Sequence, residues 1–468
     1  MKIGMKKLFA AWVFSLGFAG LAAGGLGGRI NGIIRQSSQK KVQFSIKIVE
    51  AGSGKTVYRH NAREAMIPAS NMKIITSAAA LRYLGPDYEF RTTVGLCGDT
   101  LVVRGGGDPL LGDKATDEKY GRGAGWIFED IAQALKQNGV RKIKDIVVDS
   151  SIFDDERIHP SWPRDELNRW YACEVSGLNF NGNCIDVTAK NNGGKVEVVI
   201  EPDTGFVKVV NEVTAIQKGR SAVGAYRNEE INKIIVRGKC RRQAGPFAVA
   251  IERPAVFFGY LLAEHLGRAG IDAKGQLFEK SAPTDCKMKT LREYRTRMAD
   301  CLARCNKDSF GLAAESLVKT MAVGAGQRGR GGSWASGREL IERYMLGLGI
   351  DRVEFNIDDG SGLSRENKLS ANVITNVLRD VYKSRNWQLY KESLAAGGVD
   401  GTVARYFKEE KYKGKILGKT GYIGKVKTFS GVCSSRGGDY IFSILANNTN
   451  GKTRGAINDI AKAIVDGG

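Results

Sequence analysis

The stretch Pro68-Ala-Ser-Asn-Met-Lys-Ile-Ile-Thr-Ser-Ala-Ala-Ala-Leu81 decides the reading of this chain. Ile, Ala and Leu fill Met72 to Leu81, and Pro68 stands just ahead, so a helix is expected to start near Met72. Ser70 and Lys73 are three apart. On a helix that spacing puts both side chains on one face, with Cβ atoms about 5–6 Å apart. A serine hydroxyl is a weak nucleophile until a base takes its proton. A lysine serves as that base when burial or a second cation lowers its pKa. Backbone N–H groups at a helix start face developing negative charge. The stretch can therefore hold a nucleophile and its base. The same letters also fit a helix cap followed by a solvated lysine, so the rest of the chain must separate the two.

The chain has 468 residues, room for two or three domains, and 42% of them are hydrophobic, enough for real cores. The formal charge is +21, from 71 Lys and Arg against 50 Asp and Glu. The basic residues are dispersed, with no aromatic-interleaved stripe and no nucleic-acid motif, so nucleic acid is not expected as a partner. Such a surface can attract anionic lipid or an anionic polymer such as a cell-wall glycan, but general surface charge is the reading preferred here. Lys2, Lys6 and Lys7 precede an apolar run from Leu8 to about Ala23, followed by small residues. That layout predicts a secretory leader over residues 1–28, or an anchor if it is not cleaved. Eight cysteines are present, at 97, 173, 184, 240, 286, 301, 305 and 433. Export would permit disulfides, but the spacing does not say which. The three histidines, His60, His159 and His265, form no ligand pattern with these cysteines, so neither a metal nor another cofactor is expected.

Gly54-Lys55-Thr56 has the end of a phosphate-binding loop, but the glycine five positions earlier is replaced by Val49. Strand-like runs flank it, which predicts a β-hairpin. Helices are expected over 127–135, 254–269, 295–323, 336–348, 372–382 and 456–465. Between Cys184 and Cys240, short alternating runs such as Lys195–Glu201 predict a β-rich module. Residues 279–292 show no pattern and are read as a linker. Three runs, 416–422, 426–432 and 440–446, are expected to form one antiparallel sheet. Asp149 ends a buried strand and is either a turn acceptor or a substrate contact.

Four stretches together carry a resemblance: Pro68-Ala-Ser-Asn-Met-Lys73, Asp359-Gly-Ser-Gly-Leu-Ser-Arg365, Gly398-Val-Asp-Gly-Thr402 and Lys419-Thr-Gly421. With Gly105-Gly-Gly-Asp-Pro109 and Val175-Ser-Gly-Leu-Asn-Phe-Asn181, the chain resembles the class C low-molecular-mass penicillin-binding proteins, the D-alanyl-D-alanine carboxypeptidase/endopeptidases of peptidase family S13. The resemblance implies an α+β transpeptidase-like fold over residues 29–92 and 297–468. An inserted α/β domain would cover 93–187 and 245–296, with a nested β-rich domain at 188–244. It implies peptidoglycan stem peptides as substrates, β-lactams as covalent inhibitors and an exported, cell-envelope location; it leaves the oligomeric state open.

By the same resemblance, Ser70 is the acylated nucleophile, Lys73 its base, and Ser309 and Lys419 complete the catalytic set. Thr420, Gly421 and Tyr422 bind substrate, with Thr420 on its terminal carboxylate and the Tyr422 N–H in the oxyanion hole. Asp149 is the expected acidic contact to the stem's diamino acid. One position departs from the family pattern: Ser309-Phe310-Gly311 stands where Ser-x-Asn is usual. If Gly311 leaves Lys73 without a partner, the enzyme is slow, and Gly311→Asn should raise its rate roughly tenfold. The alternative is a catalytically weakened peptidoglycan-binding homologue of the same fold.

Overall fold

The computed structural model describes residues 25–283, 285–324 and 331–467. The expected leader falls largely outside these residues. Its last part does not: helix α1 (Leu26–Ile34) begins inside the stretch assigned to the leader and buries Leu26 and Ile30. Hairpin β1 (Gln43–Glu50) and β2 (Thr56–His60) follows as expected, so Gly54-Lys55-Thr56 is a turn. A short 3₁₀ turn over Ala69–Asn71 leads directly into α2 (Met72–Tyr83). Every residue of α2 from Met72 to Leu81 is buried, Lys73 included.

The chain then leaves for a second sheet. Strands β3 (Glu89–Cys97) and β4 (Thr100–Arg104) precede helices α3 (Lys114–Lys119) and α4 (Trp126–Gln137), then β5 (Asp145–Asp149). The β-rich module comprises β6 (Cys184–Asn192), β7 (Lys195–Glu201), β8 (Lys208–Ala215), β9 (Ala222–Arg227), β10 (Lys233–Cys240) and β11 (Gln243–Ala250), in two three-stranded sheets. It starts at Cys184 and runs on past Cys240 to Ala250. Helix α5 (Pro254–Arg268), β12 (Leu277–Glu279) and β13 (Lys289–Arg297) complete the insertion. Its mixed sheet runs β12-β5-β4-β3-β13, and α4 and α5 bury its apolar face.

The expected linker thus runs into a strand at its end. Lys289–Arg297 alternates charged residues with Thr, Leu and Tyr, so no apolar stripe marks it, yet it pairs along β3 as an edge strand. The expected helix 295–323 is also corrected. It is two helices, α6 (Met298–Asn306) and α7 (Gly311–Gly324), broken where Ser309 takes φ = 62°. Helix α8 (Trp334–Gly347), the two-residue strands β14 (Phe355–Asn356) and β15 (Lys368–Leu369), α9 (Ala371–Lys383), α10 (Trp387–Ser393) and β16 (Ala395–Ala396) follow. Last come β17 (Ile416–Ile423), β18 (Val426–Ser435), β19 (Gly438–Asn447) and α11 (Thr453–Gly467).

The first and last segments make one sheet, ordered β16-β17-β18-β19-β1-β2. Its outer face packs on α1 and α11, its inner face on α2, α7, α8 and α9. A cysteine pair, Cys97–Cys286, ties the end of β3 to the segment before β13. The other six cysteines are unpaired and buried. No helix among the described residues is long and apolar enough to cross a membrane.

Candidate active site

The site forms where the 3₁₀ turn before α2 meets β17. Ala69 takes φ = 46°, an uncommon conformation for a residue with a Cβ, and it turns the chain immediately before Ser70. The neighbours hold this turn in place. Gly362 approaches so closely that a Cβ there would lie 1.9 Å from the Ala69 carbonyl oxygen. On the other side, a Cβ on Gly421 would lie 2.2 Å from Thr428 Oγ1 and 3.0 Å from Ser70 N. Asn71 stitches turn and strand together: its Nδ2 donates to the Lys419 carbonyl at 2.6 Å and its Oδ1 accepts from Ser430 Oγ at 2.7 Å. The Thr428 hydroxyl donates to the Pro68 carbonyl at 2.9 Å.

Lys73 is the second residue of α2, one turn after Ser70, and is 2% exposed. Its Nζ donates to the Ser361 carbonyl at 2.8 Å and reaches Ser70 Oγ at 3.4 Å. Burial holds its pKa below the ordinary lysine range, while Cys305 and the carboxylates of Glu315 and Asp359 push it back up. Lys419 projects from β17 and is completely buried. Its Nζ donates to Ser309 Oγ at 2.8 Å and to the Thr420 carbonyl at 2.8 Å. Burial, and then the charge of Lys73, press its pKa well below the usual value. The mutual repulsion weighs on Lys419, and burial dominates for both. Two ammoniums in so dry a space favour a state with one proton fewer.

Ser70, Lys73, Ser309, Gly311, Thr420 and Tyr422 all line one cleft with a volume of about 440 Å³. Residues 26–466 match the D-Ala-D-Ala carboxypeptidase 3 (S13) family.

The chain belongs to the S13 family.

It is 28% identical over 459 residues to a D-alanyl-D-alanine carboxypeptidase from Actinomadura, covering 92% of this chain and 82% of that protein. To the D-alanyl-D-alanine carboxypeptidase DacB of Haemophilus influenzae it is 24% identical, over 74% of this chain and 72% of the other. The fold superposes on the crystal structure of penicillin binding protein 4 (dacB) from Haemophilus influenzae with a TM-score of 0.78, at 21% identity, covering 93% of this chain and 98% of that one. The S13 penicillin-binding-protein fold expected from the motifs is therefore the fold present.

Within this S13 site, Asp149 does not reach the cleft. It lies at the end of β5, where Oδ1 accepts from the Ser151 N–H and hydroxyl and Oδ2 from the Ala282 N–H. Arg104 pairs with it at 3.4 Å. The bland reading, a turn acceptor, describes its geometry. The cleft carries a different carboxylate, Glu166, on the insertion, next to Trp170 and Tyr171. These three escape sequence reasoning because they sit in an irregular segment with no periodicity. Thr402, from the Gly398–Thr402 stretch, also lines the cleft and accepts or donates a 2.8 Å bond with Thr420 Oγ1.

Gly311 does line the cleft, but Lys73 is not left without a partner. The Asp359-Gly-Ser-Gly loop brings the Ser361 carbonyl to it. Glu315 fixes that loop from α7: Oε1 accepts from Ser361 N at 2.7 Å, Oε2 from Gly360 N at 2.9 Å and from Trp334 Nε1 at 2.8 Å. Thr76 Oγ1 donates to the Gly360 carbonyl at 2.7 Å. Asp359 is held in turn by the N–H groups of Gly362 and Ser364 and by Trp162 Nε1 from the insertion. A side chain at Gly311 would also meet the Tyr171 carbonyl oxygen, 3.0 Å from its Cβ.

Proposed function

We propose that this S13 chain cleaves D-Ala-D-Ala peptides of peptidoglycan through an acyl-enzyme on Ser70. The supporting observation is the placement of Lys73 Nζ between Ser70 Oγ and the Ser361 carbonyl, with Ser309 in the same cleft and buried Lys419 bonded to it. Neutral Lys73 takes the Ser70 proton as Oγ attacks the carbonyl of the penultimate D-alanine. The N–H groups of Ser70 and Tyr422 receive the oxyanion, a contribution typically of about 3–4 kcal/mol for one such donor. Thr420 and Lys419 bind the terminal carboxylate. That carboxylate favours a proton on Lys419, which leaves Lys73 free to act as base. Ser309 accepts a hydrogen bond from Lys419, so its own hydroxyl proton can pass to the departing amine while Lys419 gives Ser309 a proton in return, leaving the pair's single charge on Lys73. Water then hydrolyses the ester and returns Ser70.

Glu166 replaces Asp149 as the acidic group available to an ammonium on the stem peptide. β-Lactams acylate Ser70 by the same attack; relatives in this fold include a dacB complex with a β-lactam. The leader and the Cys97–Cys286 pair support export to an oxidising envelope compartment. The domain limits follow the sheets: residues 26–88 and 298–467 form the peptidase body and 89–297 the insertion, with β-strands 184–250 nested in it. The weakened-homologue reading rests on Gly311 alone, and the bond from Lys73 to the Ser361 carbonyl speaks against it. Release of D-alanine from an acyl-D-Ala-D-Ala peptide by the wild-type chain, and its loss in Ser70→Ala, tests the proposal. Continued release by Ser70→Ala would overturn it.

A further inference from the structure

Strand β17 loses its outer neighbour part-way along. β16 pairs only with Leu417 and Gly418, so from Lys419 onward β17 is the edge of the sheet. Successive side chains on a strand point to opposite faces. Lys419 turns inward to Ser309, whereas Thr420 and Tyr422 share the outer face with their register partners Phe429 and Lys427. Phe429 belongs to the core packed on α1 and α11. A basin of about 660 Å³ opens on that outer face. Thr402, Thr420 and Tyr422 line both the basin and the cleft, so the two meet around the edge of the strand.

The basin carries charge of one sign. Arg405, Lys427 and Arg454 line it, and among the described residues no carboxylate does. Arg454, in the first turn of α11, donates to the Gly421 carbonyl at 3.2 Å and to the Thr428 carbonyl at 3.4 Å. Lys427 donates to the Asn450 carbonyl, and Arg405 lies over the Tyr406 ring at 5.0 Å. Among the described residues none of the three forms an ion pair. Burial lowers the pKa of both Arg454 and Lys427. Arg405 lowers Arg454 further, with Tyr406 opposing, and Arg454 lowers Lys427. Cations gathered in a concavity without a counter-ion favour an anion from outside.

The reaction sets where that anion comes from. Thr420 and Lys419 take the terminal carboxylate of the substrate, which brings the leaving residue to this edge. Ser70 does not line the basin, so the acyl half of the peptide lies elsewhere. We propose that the basin receives an anionic side chain on the leaving residue, so that an acidic D-amino acid there is preferred to a neutral one of the same size. The inference rests on the peptidase reading above and deepens it, by naming the charge of the residue that departs.

The test uses the full chain and three peptides that differ only in the last residue: acyl-D-Ala-D-Ala, acyl-D-Ala-D-Glu and acyl-D-Ala-D-Gln. D-Glu and D-Gln match in size and differ in charge. Wild-type kcat/KM should be about fivefold higher for the D-Glu peptide than for the D-Gln peptide, the worth of one good ion pair at a partly exposed site. That ratio should shrink as salt is raised. Arg405→Gln and Lys427→Gln should each move the ratio toward one and leave the D-Ala and D-Gln peptides nearly unaffected, with the stoichiometry of the penicilloyl adduct counting folded sites. In calorimetry, Ser70→Ala should bind the uncleaved D-Glu peptide more tightly than the D-Gln peptide by a similar factor. Equal rates and equal binding for these two peptides overturn the assignment. So does an equal loss on all three peptides in the variants, which would mean that the cations serve the terminal carboxylate alone. A wild-type chain that neither cleaves nor acylates would instead defeat the peptidase reading, and the Ser70→Ala binding ratio would still decide the basin.

Discussion

Lys73 is held by three contacts of different kinds: burial, a backbone carbonyl and the serine it serves. Its neutral form is the proposed base, and burial lowers its pKa, so acylation should rise with pH and level off above that lowered value. Glu315 acts on it twice. Its charge pushes the Lys73 pKa up, and its two oxygens fix the loop that carries Ser361. Glu315→Gln removes the charge and turns an NH2 toward a backbone donor, at a cost of about 1–3 kcal/mol for the unmet bond. The acylation rate should fall about tenfold, and the rising limb of its pH profile should move to lower pH. A purely structural role would lower the rate without moving the limb. Gly311→Asn, expected from the motif alone to accelerate the enzyme, should now leave acylation unchanged or slow it. The asparagine finds the Tyr171 carbonyl 3.0 Å from its Cβ and a lysine already engaged. Stopped-flow acylation by a chromogenic cephalosporin measures this, and a faster variant would show that Ser361 does not fill the amide's role.

At the level of elements, the contact between β17 and the Ser70 turn is what aims the two proposed oxyanion donors. Gly421 permits it. Gly421→Ala places a Cβ against Thr428 Oγ1, the Pro68 carbonyl and Ser70 N, and should reduce acylation about a hundredfold, near the loss of one oxyanion donor. Its circular dichroism should remain that of a folded chain; wild-type acylation would show that the strand yields freely. The strand and helix of this contact were legible in the sequence, because Met72–Leu81 and residues 416–446 are apolar and regular. Their junction was not: no pattern of letters shows Ala69 at positive φ or Asn71 bridging to β17. β13 was missed for the opposite reason, being regular but polar. The single helix expected over 295–323 failed because the break at Ser309 uses neither Gly nor Pro at the turn itself.

Across the whole molecule, the insertion is bound to the peptidase body by specific contacts. Trp162 donates to Asp359 at 2.9 Å, and buried Lys319 donates to Asp154 and to the Glu156 carbonyl, each at 2.6 Å. These explain how Glu166, Trp170 and Tyr171 come to line the same cleft as Ser70. The motifs revealed the body and the two lysines proposed as catalytic, but the insertion's share of the cleft depended on long-range packing that a single sequence does not display. Asp149 shows the same limit: a carboxylate at a strand end looks alike whether it caps a turn or meets a substrate. The Cys97–Cys286 pair lies within the insertion's sheet and lines no part of the cleft. Cys97→Ser with Cys286→Ser should therefore cost about 2–4 kcal/mol of insertion stability in denaturant unfolding while penicillin acylation keeps its rate. Slower acylation would mean that the sheet's stiffness reaches the site.

The central claim is that Ser70 carries the acyl group. Intact-mass spectrometry of the chain after incubation with benzylpenicillin, followed by peptide mapping, tests it most directly. The account predicts one penicilloyl adduct, on the peptide containing Ser70, and no adduct on Ser70→Ala. An adduct on another residue, or a wild-type chain that stays unmodified while folded, would contradict it.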